Sequence, residues 1–328
     1  MKVIEKIIEK EVILHTSLKD KRICFLDIET TGLSKSIDTI YLIGIMYFDN
    51  EISNWKIVQL FAEELKEEVD ILLEAYKIIS EFDIIVNYNG TSFDIPFINN
   101  KFNYYKMNMS IDVNISLDIY RVIKSNRNIL PLENLKLKSI EEFLGINRED
   151  KHTGKECINF YFDYLISKNN LAVENILLHN YDDLYYLLDV VNILNVIDSK
   201  NTMNVYYNNK DNHFYIENIQ LNKDYLYISG SVDDDNNIGN IVYYDDKYKL
   251  IITKNNTFEI SLEVMEGMVT PTKKCIFINS KDFSFSKEIE WRNVYNIPKG
   301  LIILEVEKLF YIENIKQVIS GLINNILN

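Results

Sequence analysis

Apolar and polar positions alternate in two rhythms over the first 200 residues. Residues 23–28 form a short apolar run of the kind that makes a buried strand. Residues 40–48 and 55–61 read as two further strands, with Asp49-Asn50 as the turn signal between them. Residues 63–80 carry Leu65, Val69, Leu72, Leu73 and Tyr76 at helical spacing. Residues 83–86 read as another strand. Residues 95–107 read as a helix, with Pro96 tolerable only near its start. Residues 111–117 complete a set of five strands. Helices follow at about 133–144, 156–167 and 173–196, and Gly145 is a natural stop for the first of them. Strands in succession, then strands separated by helices, predict an α/β fold: a mixed sheet flanked by helices.

The rest of the chain has a different rhythm. Short runs at 225–232, 241–244, 249–253 and 258–264 are separated by Asp, Asn and Gly clusters, the pattern of antiparallel hairpins in a small sandwich or barrel. Ile312, Ile315, Ile319, Leu322, Ile323 and Ile326 share one helical face. Two domains are therefore expected: residues 1–200, and a β-rich accessory domain at 201–328 that ends in an amphipathic helix. No internal repeat is evident.

Composition narrows the classes. The 328 residues are 47% hydrophobic and 26% charged, within the globular range, so a disordered or fibrous chain is excluded. No stretch approaches the roughly 20 apolar residues of a membrane span, and the charged N-terminus offers no signal-peptide core. Three widely spaced cysteines (Cys24, Cys157, Cys275) suggest a reducing compartment, so a cytoplasmic protein is expected. The net charge of −14 argues against coating nucleic acid by charge alone. It leaves open an enzyme that meets phosphates through bound divalent cations.

Three elements carry candidate chemistry. Asp27-Ile28-Glu29 lies at the end of the first apolar run and is followed by Thr30-Thr31-Gly32-Leu33; acids two apart in a strand share a face. Asp94 follows a strand and the turn Asn87-Tyr88-Asn89-Gly90, and stands at the start of a helix. His179 and Asp183 are four apart on a late helix, hence one turn apart on one face. Taken singly, each has an ordinary structural reading: strand-end charges, a helix N-cap, a surface His–Asp pair.

In this order, the three elements resemble the exonuclease motifs of the DEDD superfamily, the DnaQ-like 3′–5′ exonucleases with a ribonuclease H-like fold. Ser116-Leu117-Asp118-Ile119-Tyr120, residues 135–145 with Ile146 and Arg148, Gly154, residues 161–165 and His179-Asn180 with Asp183 are similar to the YprB-type group. The resemblance covers about residues 20–197 and implies a mixed five-stranded sheet. It also implies that Asp27, Glu29, Asp94 and Asp183 bind metal and that His179 holds the attacking water. His179 sits at the spacing found in the Tyr-bearing branch. Thr30, Thr31, Gly32, Leu33, Asn89 and Phe93 become candidate substrate contacts.

Converging carboxylates repel one another without a cation, so the site implies its cofactor: two Mg²⁺ or Mn²⁺ ions on oxygen ligands. The expected activity is hydrolysis of phosphodiester bonds in single-stranded or frayed DNA or RNA. The alternative is an inactive nucleic-acid-binding or adaptor module on the same fold. Residues 121–138 hold five basic side chains against Glu133 alone, and are a candidate phosphate track or a solvated face. Asp118 reads as structural, and residues 233–237 as a hairpin loop rather than a calcium site. A protein partner would be met through residues 201–328.

Overall fold

The apolar run ahead of Asp27 becomes the middle of a sheet. The computed structural model describes residues 1–147, 152–207, 210–233, 238–285 and 294–327. Six strands, β1 (Lys2–Ile8), β2 (Ile23–Thr30), β3 (Ile40–Asp49), β4 (Asn54–Phe61), β5 (Ile84–Asn87) and β6 (Ser116–Asp118), form one sheet in the order β1-β4-β3-β2-β5-β6. The β1–β4–β3–β2 pairs are antiparallel, whereas β2, β5 and β6 run parallel. This is the mixed α/β, RNase H-like architecture, with one strand more than expected. The extra strand, β1, is an edge strand with exposed Glu5 and Lys6 and one buried residue, Ile8. Charges on an edge strand deter sheet-to-sheet pairing, and they erase the alternation by which sequence reveals a strand.

Helices α1 (Glu68–Ile79), α2 (Asp94–Tyr104), α3 (Ile119–Ser125), α4 (Leu137–Phe143), α5 (Gly154–Ser167), α6 (Asn170–Val190) and α7 (Ile193–Asn201) follow the strands. A capping box of Thr153 and Glu156 starts α5, and the Asn169 side chain accepts from Leu171 N–H to start α6. Against the predicted 173–196 helix, α6 begins earlier and a break at residues 191–192 separates it from α7. Phe25, Ile43, Phe61 and Tyr161 are buried, and Tyr161 stacks on Tyr41 at 4.1 Å.

The chain divides into two compact units: residues 1–125 with 132–194, and residues 126–131 with 195–328. The basic stretch 121–138 is thereby split, because residues 126–131 belong to the second unit, where Phe310 N–H donates to Asn128 O at 2.6 Å.

In the second unit β7 (Thr202–Tyr207), β8 (Lys210–Asn222), β9 (Tyr225–Val232), β10 (Ile241–Tyr244), β11 (Tyr248–Ile252) and β12 (Thr257–Glu263) form an antiparallel sheet in the order β10-β11-β12-β9-β8-β7. β13 (Met265–Thr270), β14 (Lys273–Asn279), β15 (Leu301–Val306) and β16 (Leu309–Phe310) form a second antiparallel sheet, and among the described residues neither sheet pairs its two edge strands. The terminal helix α8 (Ile312–Leu327) packs its apolar face on β7 and β15. β8 escaped the periodicity because a register shift between Ile216 and Asn218 breaks its alternation. Residues 234–237 of the acidic loop, and Arg148, lie outside the described residues. No helix among the described residues is long and apolar enough to cross a membrane.

Candidate active site

Strand alternation puts Asp27 and Glu29 on one face of β2. Asp94 reaches them from α2: its Oδ1 accepts the Ile28 main-chain N–H at 3.1 Å, so its carboxyl sits beside the peptide that joins the two acids. Asp94 is the first residue of α2, not its N-cap, which is Phe93. The loop before it is tightly held. Asp118 accepts from Asn89 N–H at 2.8 Å and Thr91 N–H at 3.2 Å, and Asn87 accepts from Gly90 N–H at 3.0 Å. Asn89 adopts a φ of 66°, and a Cβ at position 90 would overlap the Asn87 side chain. Asp118 thus shapes this turn through its backbone contacts.

Helix α6 supplies the rest. His179 Nε2 lies 3.6 Å from Asp183 Oδ2, one turn on, and 3.7 Å from Glu29 Oε1. Ligand atoms of Glu29, His179 and Asp183 all lie within 4.8 Å of one another. Asn180 Nδ2 donates to Asp27 Oδ2 at 2.7 Å. Asp182, next to Asp183 in the chain, is also buried.

The carboxyls feel one another. Burial, then the charges of Asp183, Glu29 and Asp94, hold Asp27 well above the usual carboxylate range, against the Asn180 hydrogen bond. Burial, and to a lesser degree Asp183 and Asp94, push Glu29 up to about 8, with His179 pulling the other way. Burial also lifts Asp94 to about 7; the backbone N–H groups of Asp94 and Ile28 oppose this, and Asp118 and Asp183 add to it. Among the ion pairs of the described residues, none joins a Lys or Arg to Asp27, Glu29 or Asp94. Hard oxygen donors crowded in a low-dielectric site, with an imidazole beside them, form a donor set suited to a divalent cation.

The structure places the candidate substrate contacts less uniformly. The Thr30 hydroxyl donates to Gly32 O at 2.6 Å, which shapes the loop. Thr31 bonds Asp38, and a Cβ at Gly32 would overlap the Asp38 carboxylate. Leu33 is 82% exposed. Phe93 packs on Phe97. Lys35 Nζ donates to Ser92 O at 3.1 Å, so the loop after Glu29 is tied to the loop before Asp94. Sequence reasoning passed over Gln59 and Gly44, which contact Asn180. A lone Gln inside the apolar run of β4 was the available signal.

No curated protein matches this chain. Among solved structures, the family B DNA polymerase from the hyperthermophilic archaeon Pyrobaculum calidifontis aligns at 14% identity and a TM-score of 0.43, covering 55% of this chain and 25% of that one. The RNase_H_2 family model matches residues 24–195, over half of the chain, and that span includes Asp27, Glu29, Asp94 and Asp183. The chain belongs to the RNase H superfamily.

Proposed function

We propose that the protein is a metal-dependent 3′–5′ exonuclease of the DEDD type, similar to the YprB group, acting on single-stranded or frayed ends of DNA or RNA. The observation that carries this reading is the meeting of carboxyls: Asp94 bonds the peptide between Asp27 and Glu29, His179 lies between Glu29 and Asp183, and burial followed by neighbouring carboxylates raises the proton affinity of Asp27, Glu29 and Asp94, with no Lys or Arg ion-paired to them among the described residues. Burial of like charge is costly and marks functional sites.

Asp27, Glu29, Asp94 and Asp183 would hold two Mg²⁺ or Mn²⁺ ions, which supply a more acidic water and neutralise charge on the departing 3′ oxygen. The remaining work falls to the chain. Glu29 and Asp94 must release their protons to act as ligands. His179, 3.7 Å from Glu29 and 3.6 Å from Asp183, would accept the water's proton. Leu33, 82% exposed on a loop anchored by Asp38, would meet the terminal base. Residues 1–200 would form the exonuclease domain. Residues 201–328 would be an accessory domain with a role in partner binding.

Incubating a 5′-labelled oligonucleotide with Mn²⁺ should give a ladder shortened from the 3′ end. EDTA, Asp27→Ala and Asp94→Ala should each abolish it, and His179→Ala should slow it about 10²- to 10⁴-fold. Alanine variants as active as wild type would remove the site assignment. Tight binding without any cleavage in Mn²⁺ would instead point to an inactive binding module.

A further inference from the structure

Strand register aligns three positions in one row across the sheet. Asp27 on β2 opposes Gly44 on β3, and Gly44 opposes Gln59 on β4. Helix α6 lays Asn180 over this row. Its Nδ2 donates to Asp27 Oδ2 at 2.7 Å, and its Oδ1 accepts from Gln59 Nε2 at 2.9 Å. The same Gln59 nitrogen donates to Leu177 O, one turn earlier on α6, at 2.8 Å. Both amides are fully buried. Gly44 provides the space between them: a Cβ there would overlap the Asn180 amide and press on a Leu184 methyl.

The chain of donors has one direction. Reversing the Asn180 amide would set its oxygen against the Asp27 carboxylate and its N–H₂ against the Gln59 N–H₂. The amide is therefore locked, and Asp27 Oδ2 is engaged from one side. We infer that Asn180 is a positioning residue which, oriented by Gln59 and accommodated by Gly44, holds the Asp27 carboxylate so that Oδ1 is presented to a divalent cation. The inference rests on the nuclease reading above and adds to it the three residues that aim one ligand.

Mn²⁺ titration of the 328-residue chain by calorimetry tests this, with circular dichroism in EDTA to establish folding. Asn180→Ala and Gln59→Leu should each weaken Mn²⁺ binding about 10- to 100-fold, the usual effect of losing a group that orients a ligand. Both should raise the Mn²⁺ needed for half-maximal cleavage by the same factor and leave the KM for oligonucleotide unchanged. Gly44→Ala should weaken binding too. The double variant Gly44→Ala/Asn180→Ala should bind no more weakly than Asn180→Ala, because the amide that the new methyl displaces is gone. Folded Asn180→Ala and Gln59→Leu proteins that bind Mn²⁺ within twofold of wild type would overturn the inference while leaving the nuclease reading intact. Wild-type protein that binds no Mn²⁺ would overturn both. Should Asn180→Ala fail to fold, Gln59→Leu decides, since it leaves the Asn180 amide in place and removes the donor that orients it.

Discussion

The two units bury polar groups for different ends. Among the described residues of the second unit, the buried polar side chains are the amides Asn212 and Asn314. Asn212 Nδ2 donates to the carbonyls of Val205, Tyr207 and Lys210 and closes the β7–β8 hairpin. Asn314 donates to Ile303 O at 2.8 Å and ties α8 to β15. The first unit buries Glu29, Glu68, Asp94, Lys101, Asp118, Glu141, His179 and Asp182 as well as several amides. Even there the treatment divides. Glu68 accepts from Ile40 N–H at 2.7 Å and Tyr105 O–H at 2.6 Å, and pairs with Lys101 at 3.5 Å. Glu29 and Asp94 also face other carboxyls, and His179 beside the one and the Ile28 N–H on the other do not offset burial and those charges. A buried charge answered by donors is architecture; one answered by further charge of the same sign needs a cation from outside.

The largest break in this contrast should come from Asp94→Asn. Cleavage should fall by about 10⁴-fold, the scale for loss of one member of a catalytic unit. Yet the metal-free protein should gain stability near pH 8. The sign follows from linkage. The folded carboxyls of Glu29 and Asp94 titrate at about 8 and about 7, far above an ordinary carboxylate, so the folded chain keeps protons that the unfolded chain releases. Their stabilisation is complete at about pH 4 and is lost as pH rises toward 8. In EDTA the wild type should therefore melt progressively lower between pH 5 and pH 8, more steeply than Asp94→Asn. Mn²⁺ should raise its midpoint more at pH 8 than at pH 5, because bound metal and bound protons compete. Parallel melting curves for the two proteins would contradict the shared anionic pocket.

The next effect belongs to the partnered acid. Lys101→Met strands Glu68 without its cation and should cost about 3–5 kcal/mol in urea unfolding, with the Mn²⁺ affinity of the folded protein unaltered. A changed affinity would mean that this pair belongs to the site. The smallest effect lies in the second unit, where Asn314→Ala should cost about 1–3 kcal/mol by freeing a buried carbonyl. Cleavage measured below the melting range should match wild type, and a large loss there would give the second unit a direct part in the chemistry.

Local pattern carried far in this chain. The run before Asp27, the strands 225–232 and 241–244 and the terminal helix lie where the pattern put them: β2 is a continuous apolar run, β9 buries alternate residues, β10 is a short apolar run, and α8 has one apolar face. Where a strand is a charged edge, as in β1, or bulged, as in β8, the alternation disappears and so does the signal. Strands β13–β16 lie outside the predicted runs, and register shifts interrupt the β13–β14 and β14–β15 pairing.

The site divides in the same way. Alternation alone puts Asp27 beside Glu29 on one face, and the α-helical turn alone puts His179 above Asp183; both are consequences of backbone geometry within a few residues. Only the tertiary structure decided that Asp94 would bond Ile28 N–H, that His179 would lie near Glu29, and that Gly44 and Gln59 would fall in line with Asp27. Those meetings depend on sheet register and on the docking of α6, which burial across the whole core selects and no local stretch of chain encodes.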